Sequence, residues 1–308
     1  MKKAIAFFQL IRWPNLLFIA ITQILFYFIV IPFCYNQVGS GESKISGDVF
    51  LIILGASLLI GAGGYIINDY FDINIDQVNK ADKVIIGKYI NRRSAILLHA
   101  TFSFVGLLLS IDASAKLHNW YVALFNLIAI LLLLFYSTTF KKKLLIGNII
   151  IGLLTAWTIF VLTVADIRFH QLSNPAWSKV LKLSILYGGF AFIISIIREV
   201  IKDMEDVAGD RKFGCTTMPI VWGIHVSKVY TAVWIIVLCG SVAALITYFL
   251  FFKWWLIFIY GIIAVIMPLI YVIRKLYRAK NASDFHQLSS MIKFIMLAGI
   301  LSMIFLIQ

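Results

Sequence analysis

The chain has 308 residues, 62% of them hydrophobic and 13% charged, with a formal net charge of +13. A soluble domain carries about 25% charged residues, whereas here apolar runs long enough to span a bilayer recur from end to end. That composition excludes a soluble enzyme and implies an all-α polytopic membrane protein.

The first residues, MKKAIAFFQLIRWPNLL, carry an apolar run from Ala4 to Ile11 that is short and is followed by Arg12. No small-residue cleavage site follows, so the segment is expected to be retained as an amphipathic stretch at the membrane interface. Nine spans are predicted after it, at about 15–34, 47–67, 95–111, 120–138, 144–165, 181–198, 228–250, 254–273 and 290–307. Gly61, Gly63 and Gly64 in the second span suit close helix packing. Trp254 and Trp255 read as interfacial anchors. Cys34, Cys215 and Cys239 have no paired spacing and suggest neither a disulfide framework nor a zinc site. The histidines at 99, 118, 170, 225 and 286 are scattered, and His99 reads as a satisfied polar group within a span.

Lys and Arg fall in alternate connections. Lys2, Lys3 and Arg12, the stretch 80–93, Lys141 to Lys143, the stretch 198–228 and the stretch 274–280 together hold 20 of the 27. Lys44, Lys116, Arg168, Lys179, Lys182, Lys253 and Lys293 make up the rest. The positive-inside rule then places the N-terminus and the Lys/Arg-rich connections in the cytoplasm. The excess of positive charge is thereby a matter of topology, with no nucleic-acid partner implied.

The acids are the sharper signal. Of 14 carboxylates, nine lie in two short windows: Asp69, Asp72, Asp76 and Asp82, then Glu199, Asp203, Glu205, Asp206 and Asp210. Each window directly follows an apolar span on the expected cytoplasmic side. Asn68, Asp72 and Asp76 are spaced i, i+4, i+8 and form one stripe if the second span continues as helix. Glu199, Asp203, Asp206 and Asp210 fall within about 60° of one another on a continuous helix. Like charges stacked on one face repel, and the C-terminal end of a helix disfavours anions, so cations are expected between them. The all-oxygen set of Asn68, Asp72, Asp76, Glu199, Asp203, Asp206 and Asp210 suits Mg²⁺, or Mn²⁺, better than zinc. Mg²⁺ is usually completed by substrate phosphates. The neighbouring bases Lys83, Lys88, Arg92, Arg93, Lys141, Lys142, Arg198, Lys202, Arg211 and Lys212 suit the remaining phosphate oxygens. A diphosphate at the membrane surface with its tail in the bilayer is a prenyl diphosphate. Cleavage of its C–O bond leaves an allylic cation that aromatic faces can stabilise, and the chain has 25 Phe, 13 Tyr and 8 Trp.

These residues resemble a family, the UbiA-type intramembrane prenyltransferases. NDYFDINID at 68–76 matches its first Asp-rich motif, NDxxDxxxD, and REVIKDMEDVAGD at 198–210 is similar to its second. FYSTTFKKKLLIGN at 135–148 is similar to its Tyr-xxxx-Lys stretch, and RWPN at 12–15 to its Arg-x-x-Asn. The resemblance implies one domain over residues 1–308, with nine transmembrane helices around a central cavity under a cytoplasmic cap, and two Mg²⁺ ions. It implies Asp72, Asp76, Asp206, Asp210 and Tyr136 as catalytic residues. It implies Lys83, Arg92, Arg93, Lys141, Lys142, Lys202 and Lys212 as diphosphate contacts. Where the family commonly has Arg-Pro and then Pro-Ser-Gly after the first motif, this chain has Lys83 with Val84, Ile86, Gly87 and Lys88. A Lys cannot make an Arg's bidentate phosphate contact. The second motif is most similar to members that pass a geranylgeranyl group to geranylgeranylglyceryl phosphate, a lipid acceptor. An aromatic, quinone-pathway acceptor is the alternative within the family. An ion-coupled transporter is the alternative of another class, disfavoured because both acidic windows fall on one side. A CDP-alcohol phosphotransferase would need an order of Asp, Gly and Arg that neither window has.

Overall fold

The computed structural model describes residues 2–39, 42–167 and 174–307, so the predictions touching Arg168 and His170 lie outside the described residues. Helix α1 is Lys2–Leu10. It buries Ala6 and Leu10 and exposes Ile5 and Phe8, as an interfacial segment should. Then come α2 (Trp13–Asn36), α3 (Gly47–Asn79), α4 (Arg92–Lys116), α5 (Tyr121–Thr138), α6 (Ile146–Ala165) and α7 (Pro175–Glu205). Two short helices, α8 (Val207–Lys212) and α9 (Met218–Val221), lead to α10 (Gly223–Leu250), α11 (Trp255–Arg278) and α12 (Ala282–Ile307). Nine of these, among the described residues, are long and apolar enough to cross a membrane, and all nine predicted spans are among them.

Two of the spans contain an interior proline and remain continuous. Pro32 and Pro268 cannot donate to the carbonyl four residues back, and their rings crowd it. In each case a π-helical stretch, Phe26–Val30 or Gly261–Ile266, precedes the proline and widens the turn.

The helices group into two compact units, residues 1–141 with 157–184, and residues 142–156 with 185–308. In the first unit, α3 touches its neighbours through its glycines. A Cβ on Gly61 would lie 3.1 Å from Ile19 of α2, on Gly63 3.1 Å from Ser103 of α4, and on Gly64 2.8 Å from Leu133 of α5. Positions 61, 63 and 64 point in three directions around the helix, at about 100° per residue, so the backbone of α3 is approached closely on three faces. The same close approach lets the Gly63 carbonyl accept a hydrogen bond from His99 Nδ1 at 3.0 Å, which accounts for that histidine. Buried amides tie further helices together. Gln23 Nε2 donates to Ser57 Oγ and to the Thr158 carbonyl, and Asn126 Nδ2 donates to Ser110 Oγ while its Oδ1 accepts from Trp157.

In the second unit the core is aliphatic, built from Ile194, Ile197 and Ile201 of α7, Leu269, Val272 and Leu276 of α11, and Phe285, Leu288 and Ile292 of α12. Helix α12 starts at Ala282, well before the predicted span, on a capping box between Asn281 and Asp284. Phe192 of α7 rests on Gly152, and Phe190 of α7 on Gly299.

Replacing Gly64 by Val should force α3 and α5 apart and cost about 1–3 kcal/mol, read as a lower thermal midpoint of the detergent-purified protein. Gly189→Ala is the matching control, because a Cβ there meets nothing within 4 Å; its midpoint should be unchanged or higher.

Candidate active site

Asp69, Asp72 and Asp76 of the first acidic window lie on one uninterrupted helix, because α3 runs on to Asn79, whereas Asp82 falls in the 3₁₀ turn Ala81–Lys83 beyond it. The predicted stripe forms: Asn68 Nδ2 donates to Asp72 Oδ2 at 2.8 Å, one turn along. The repulsion is relieved by two cations brought from elsewhere in the same unit. Arg12 Nη2 pairs with Asp69 Oδ1 at 2.5 Å, with its guanidinium 5.4 Å from the centre of the Tyr65 ring. Lys141 Nζ pairs with Asp72, which is only 3% exposed. Burial works against both cations, but the carboxylates beside them outweigh it, so the pKa values of Arg12 and Lys141 lie above their ordinary values and both stay charged.

These positions follow from local structure. Arg12 sits between α1 and α2 with φ 50, a left-handed conformation that turns the chain sharply before Pro14 in the first turn of α2. Lys141 lies in a 3₁₀ turn, Phe140–Lys142, just after α5 ends. The connection after α3 is rigid by a different device from the prolines of the resembled family. Val84, Ile85 and Ile86 are buried, with Ile85 and Ile86 against Ala6, Leu10, Ile66, Ile73 and Ala95. Gly87, at φ 91, closes a tight turn in which its N–H donates to the Ile90 carbonyl at 2.8 Å. Lys88 donates to the Ala81 carbonyl, and Arg92 and Arg93 stand exposed in the first turn of α4. The side chain of Lys83 lies outside the described part of the structure.

The second window departs from expectation. The single helical face predicted for Glu199, Asp203, Asp206 and Asp210 is broken at Asp206, which has φ −95 and ψ 6 and separates α7 from α8. The last turn of α7 ends there, and Asp210 belongs to the short helix that follows. The break is local, since the Asp206 N–H still donates to the Lys202 carbonyl at 2.9 Å and the Asp210 N–H to the Asp206 carbonyl at 3.1 Å. Glu199 accepts from Arg198 Nη1 at 2.7 Å and has Lys202 Nζ at 3.8 Å. Asp203 Oδ2 accepts from Asn148 Nδ2 at 2.8 Å, and Glu205 pairs with His286 Nδ1 at 2.9 Å. Asp210 is buried, and its carbonyl accepts from the Cys215 N–H. The carbonyl of Lys142 accepts from both the N–H and Oγ1 of Thr216, whereas the Lys142 and Lys212 side chains are exposed. Tyr136 is half-buried near the end of α5.

The predicted donors Asn68, Asp72, Asp76, Glu199, Asp203, Asp206 and Asp210 do not form a finished cage. Among the described residues no three Asp, Glu, His or Cys side chains converge to hold a metal ion. The donor set nevertheless fits Mg²⁺, which takes a few carboxylates and leaves other positions to water and phosphate. One atom argues for it directly. Asn68 Oδ1 is buried without a hydrogen-bond partner among the described residues, an acceptor left open beside Asp72. The contacts absent from the predicted site are Arg12 on Asp69, Asn148 on Asp203 and His286 on Glu205. The only sequence signals for the first two were the RWPN stretch and the Gly147–Asn148 pair, and His286 had none.

Residues 25–297 match the UbiA prenyltransferase family. Digeranylgeranylglyceryl phosphate synthase of Sulfurisphaera tokodaii is 30% identical over 278 residues, covering 90% of each chain. A solved structure described as giving structural and mechanistic insights into the biosynthesis of digeranylgeranylglyceryl phosphate synthase in membranes superposes with a TM-score of 0.63 at 26% identity, covering 99% of both chains. A UbiA homolog from Archaeoglobus fulgidus, solved bound to DMAPP and Mg²⁺, shares the fold with a TM-score of 0.57 at 14% identity, covering 95% of this chain and 98% of that one. This chain, an integral multi-pass membrane protein, belongs to the UbiA prenyltransferase family.

Proposed function

We propose that this prenyltransferase passes a geranylgeranyl group from geranylgeranyl diphosphate to the hydroxyl of geranylgeranylglyceryl phosphate, releasing diphosphate. The observation that carries the reading is the end of α3, where Asn68, Asp72 and Asp76 stand in line beneath Lys141 with one buried acceptor still open. The relatives named digeranylgeranylglyceryl phosphate synthase support the acceptor, since one of them matches this chain over nine-tenths of its length.

In this reading Asn68, Asp72 and Asp76 would hold one Mg²⁺, and Asp203, Asp206 and Asp210 a second, and the chemistry supplied there would be positive charge that makes diphosphate a better leaving group. The chain's own residues do the rest. Lys141, held charged by the Asp72 carboxylate in spite of its burial, donates to a non-bridging diphosphate oxygen. Arg12 keeps Asp69 neutralised, so that the acidic stripe does not repel the incoming polyphosphate. Asn148 orients Asp203. Tyr136 lies next to the Tyr-xxxx-Lys turn, and its ring face suits the allylic cation formed as the C–O bond opens. Lys83, Arg92, Arg93, Lys142, Lys202 and Lys212 supply positive potential that concentrates the anionic substrate. The residues act as one catalytic domain whose acidic windows face the cytoplasm, in agreement with the Lys/Arg count.

Purified protein should release diphosphate and form digeranylgeranylglyceryl phosphate only with a divalent cation; EDTA should stop turnover and Mg²⁺ restore it. A prenylated 4-hydroxybenzoate or dihydroxynaphthoate product in place of the lipid product would replace the acceptor assignment. Asp72→Ala and Asp206→Ala should each abolish diphosphate release while eluting as folded protein in detergent, and normal turnover in both would remove the acidic windows from the chemistry. Lys141→Ala should raise KM for the prenyl diphosphate by about tenfold to a hundredfold, the loss expected for a charged hydrogen bond; unchanged steady-state constants would take Lys141 out of the site.

A further inference from the structure

Among the described residues, helix α7 has two buried donors within one turn of each other, Ser195 Oγ and Arg198 Nε, that lack an acceptor, besides Trp177 Nε1 near its other end. Ser195 is 3% exposed, and its Oγ has no partner among the described residues. A serine inside a helix usually turns its hydroxyl back to the carbonyl four residues earlier. Ser184, on the same helix, does so, donating to the Val180 carbonyl at 2.8 Å; Ser227 and Thr231 of α10 do the same. Ser195 does not. One turn further on, Arg198 gives Nη1 to Glu199, while its Nε is buried and equally without an acceptor. Positions 195, 198 and 202 share one face of α7, so a serine hydroxyl, a guanidinium and the Lys202 ammonium stand in line toward the end that carries the second acidic window.

A buried donor left unmade is costly, and two on one face, one a guanidinium, call for the same missing group: an anion with several oxygens. Glu199 does not serve Nε here: its Oε1 takes Nη1 at 2.7 Å and its Oε2 faces Lys202 Nζ at 3.8 Å. A phosphate monoester matches the need, because its tetrahedral group presents several acceptor oxygens, two of which can take the planar Arg fork. We propose that Ser195 and Arg198, with Lys202 behind them, bind the phosphate of the glycerol-phosphate acceptor, each side chain turning toward it on binding. This subsite would set the choice of a phosphorylated lipid over its uncharged alcohol. It rests on the acceptor assigned under the proposed function.

The test is equilibrium binding of geranylgeranylglyceryl phosphate and of geranylgeranylglycerol to the full-length protein in detergent, followed by tryptophan fluorescence without donor or metal. Steady-state KM values for both substrates are measured alongside. Wild type should favour the phosphorylated lipid. Arg198→Lys keeps a charge for Glu199 and removes the Nε donor; it should lose about tenfold or more in affinity for the phosphate lipid and none for the alcohol. Ser195→Ala should weaken phosphate-lipid binding while leaving the thermal midpoint equal or higher, because the hydroxyl it removes has no partner in the fold. A hydroxyl with a purely structural role would lower the midpoint and leave the phosphate preference alone. Wild type with no preference for the phosphate would overturn the acceptor assignment and this subsite with it. A wild-type preference kept in full by both variants would overturn the subsite alone, leaving the donors to an ordered water.

Discussion

Acids stacked at the negative end of a helix must be neutralised, and the surroundings of both acidic windows are arranged around that requirement. On α3, Asp69, Asp72 and Asp76 crowd into the last three turns, where the helix dipole already repels them. Arg12 and Lys141 answer two of these charges from segments far apart in the chain, and each cation is held in its charged form by the carboxylate it meets. On α7 the answer is more local, since Arg198 and Lys202 lie within a turn of Glu199, and Asn148 and His286 take Asp203 and Glu205.

The neutralisation is incomplete in a way that matters for chemistry. Asn68 Oδ1 is an open acceptor beside acids, whereas Ser195 Oγ and Arg198 Nε are open donors beside bases. Buried polar atoms are satisfied in most folded proteins, and these three, which are among the exceptions in the described residues, have opposite character. An open acceptor among carboxylates suits a cation, and open donors around a guanidinium suit an anion. A metal-dependent transferase acting on phosphorylated lipids needs both.

Packing places the acids at the right depth. Because Gly61, Gly63 and Gly64 let α2, α4 and α5 approach the backbone of α3 on three sides, that helix is supported below the point where it passes the acids. Without a hydrophobic driving force between helices in lipid, such close contact supplies much of the attraction. Beyond that support α3 continues as unbroken helix to Asn79, which keeps Asn68, Asp72 and Asp76 at one-turn spacing.

The sequence by itself determined the nine spans, the glycine contacts of α3 and the stripe from Asn68 to Asp76. Each depends on hydropathy, side-chain size or a helical repeat, all local properties that a bilayer makes decisive. The two acidic windows were legible for the same reason, charge being rare in such a chain. Only the tertiary structure decided the rest. The break at Asp206 was hidden because the spacing of Glu199, Asp203, Asp206 and Asp210 is compatible with a continuous helix, and nothing in that spacing marks a one-residue bend. Arg12 on Asp69, Lys141 on Asp72 and Asn148 on Asp203 join residues separated by 57, 69 and 55 positions. The open atoms of Asn68, Ser195 and Arg198 could not be read from sequence either, since whether a polar atom has a partner depends on every side chain folded around it.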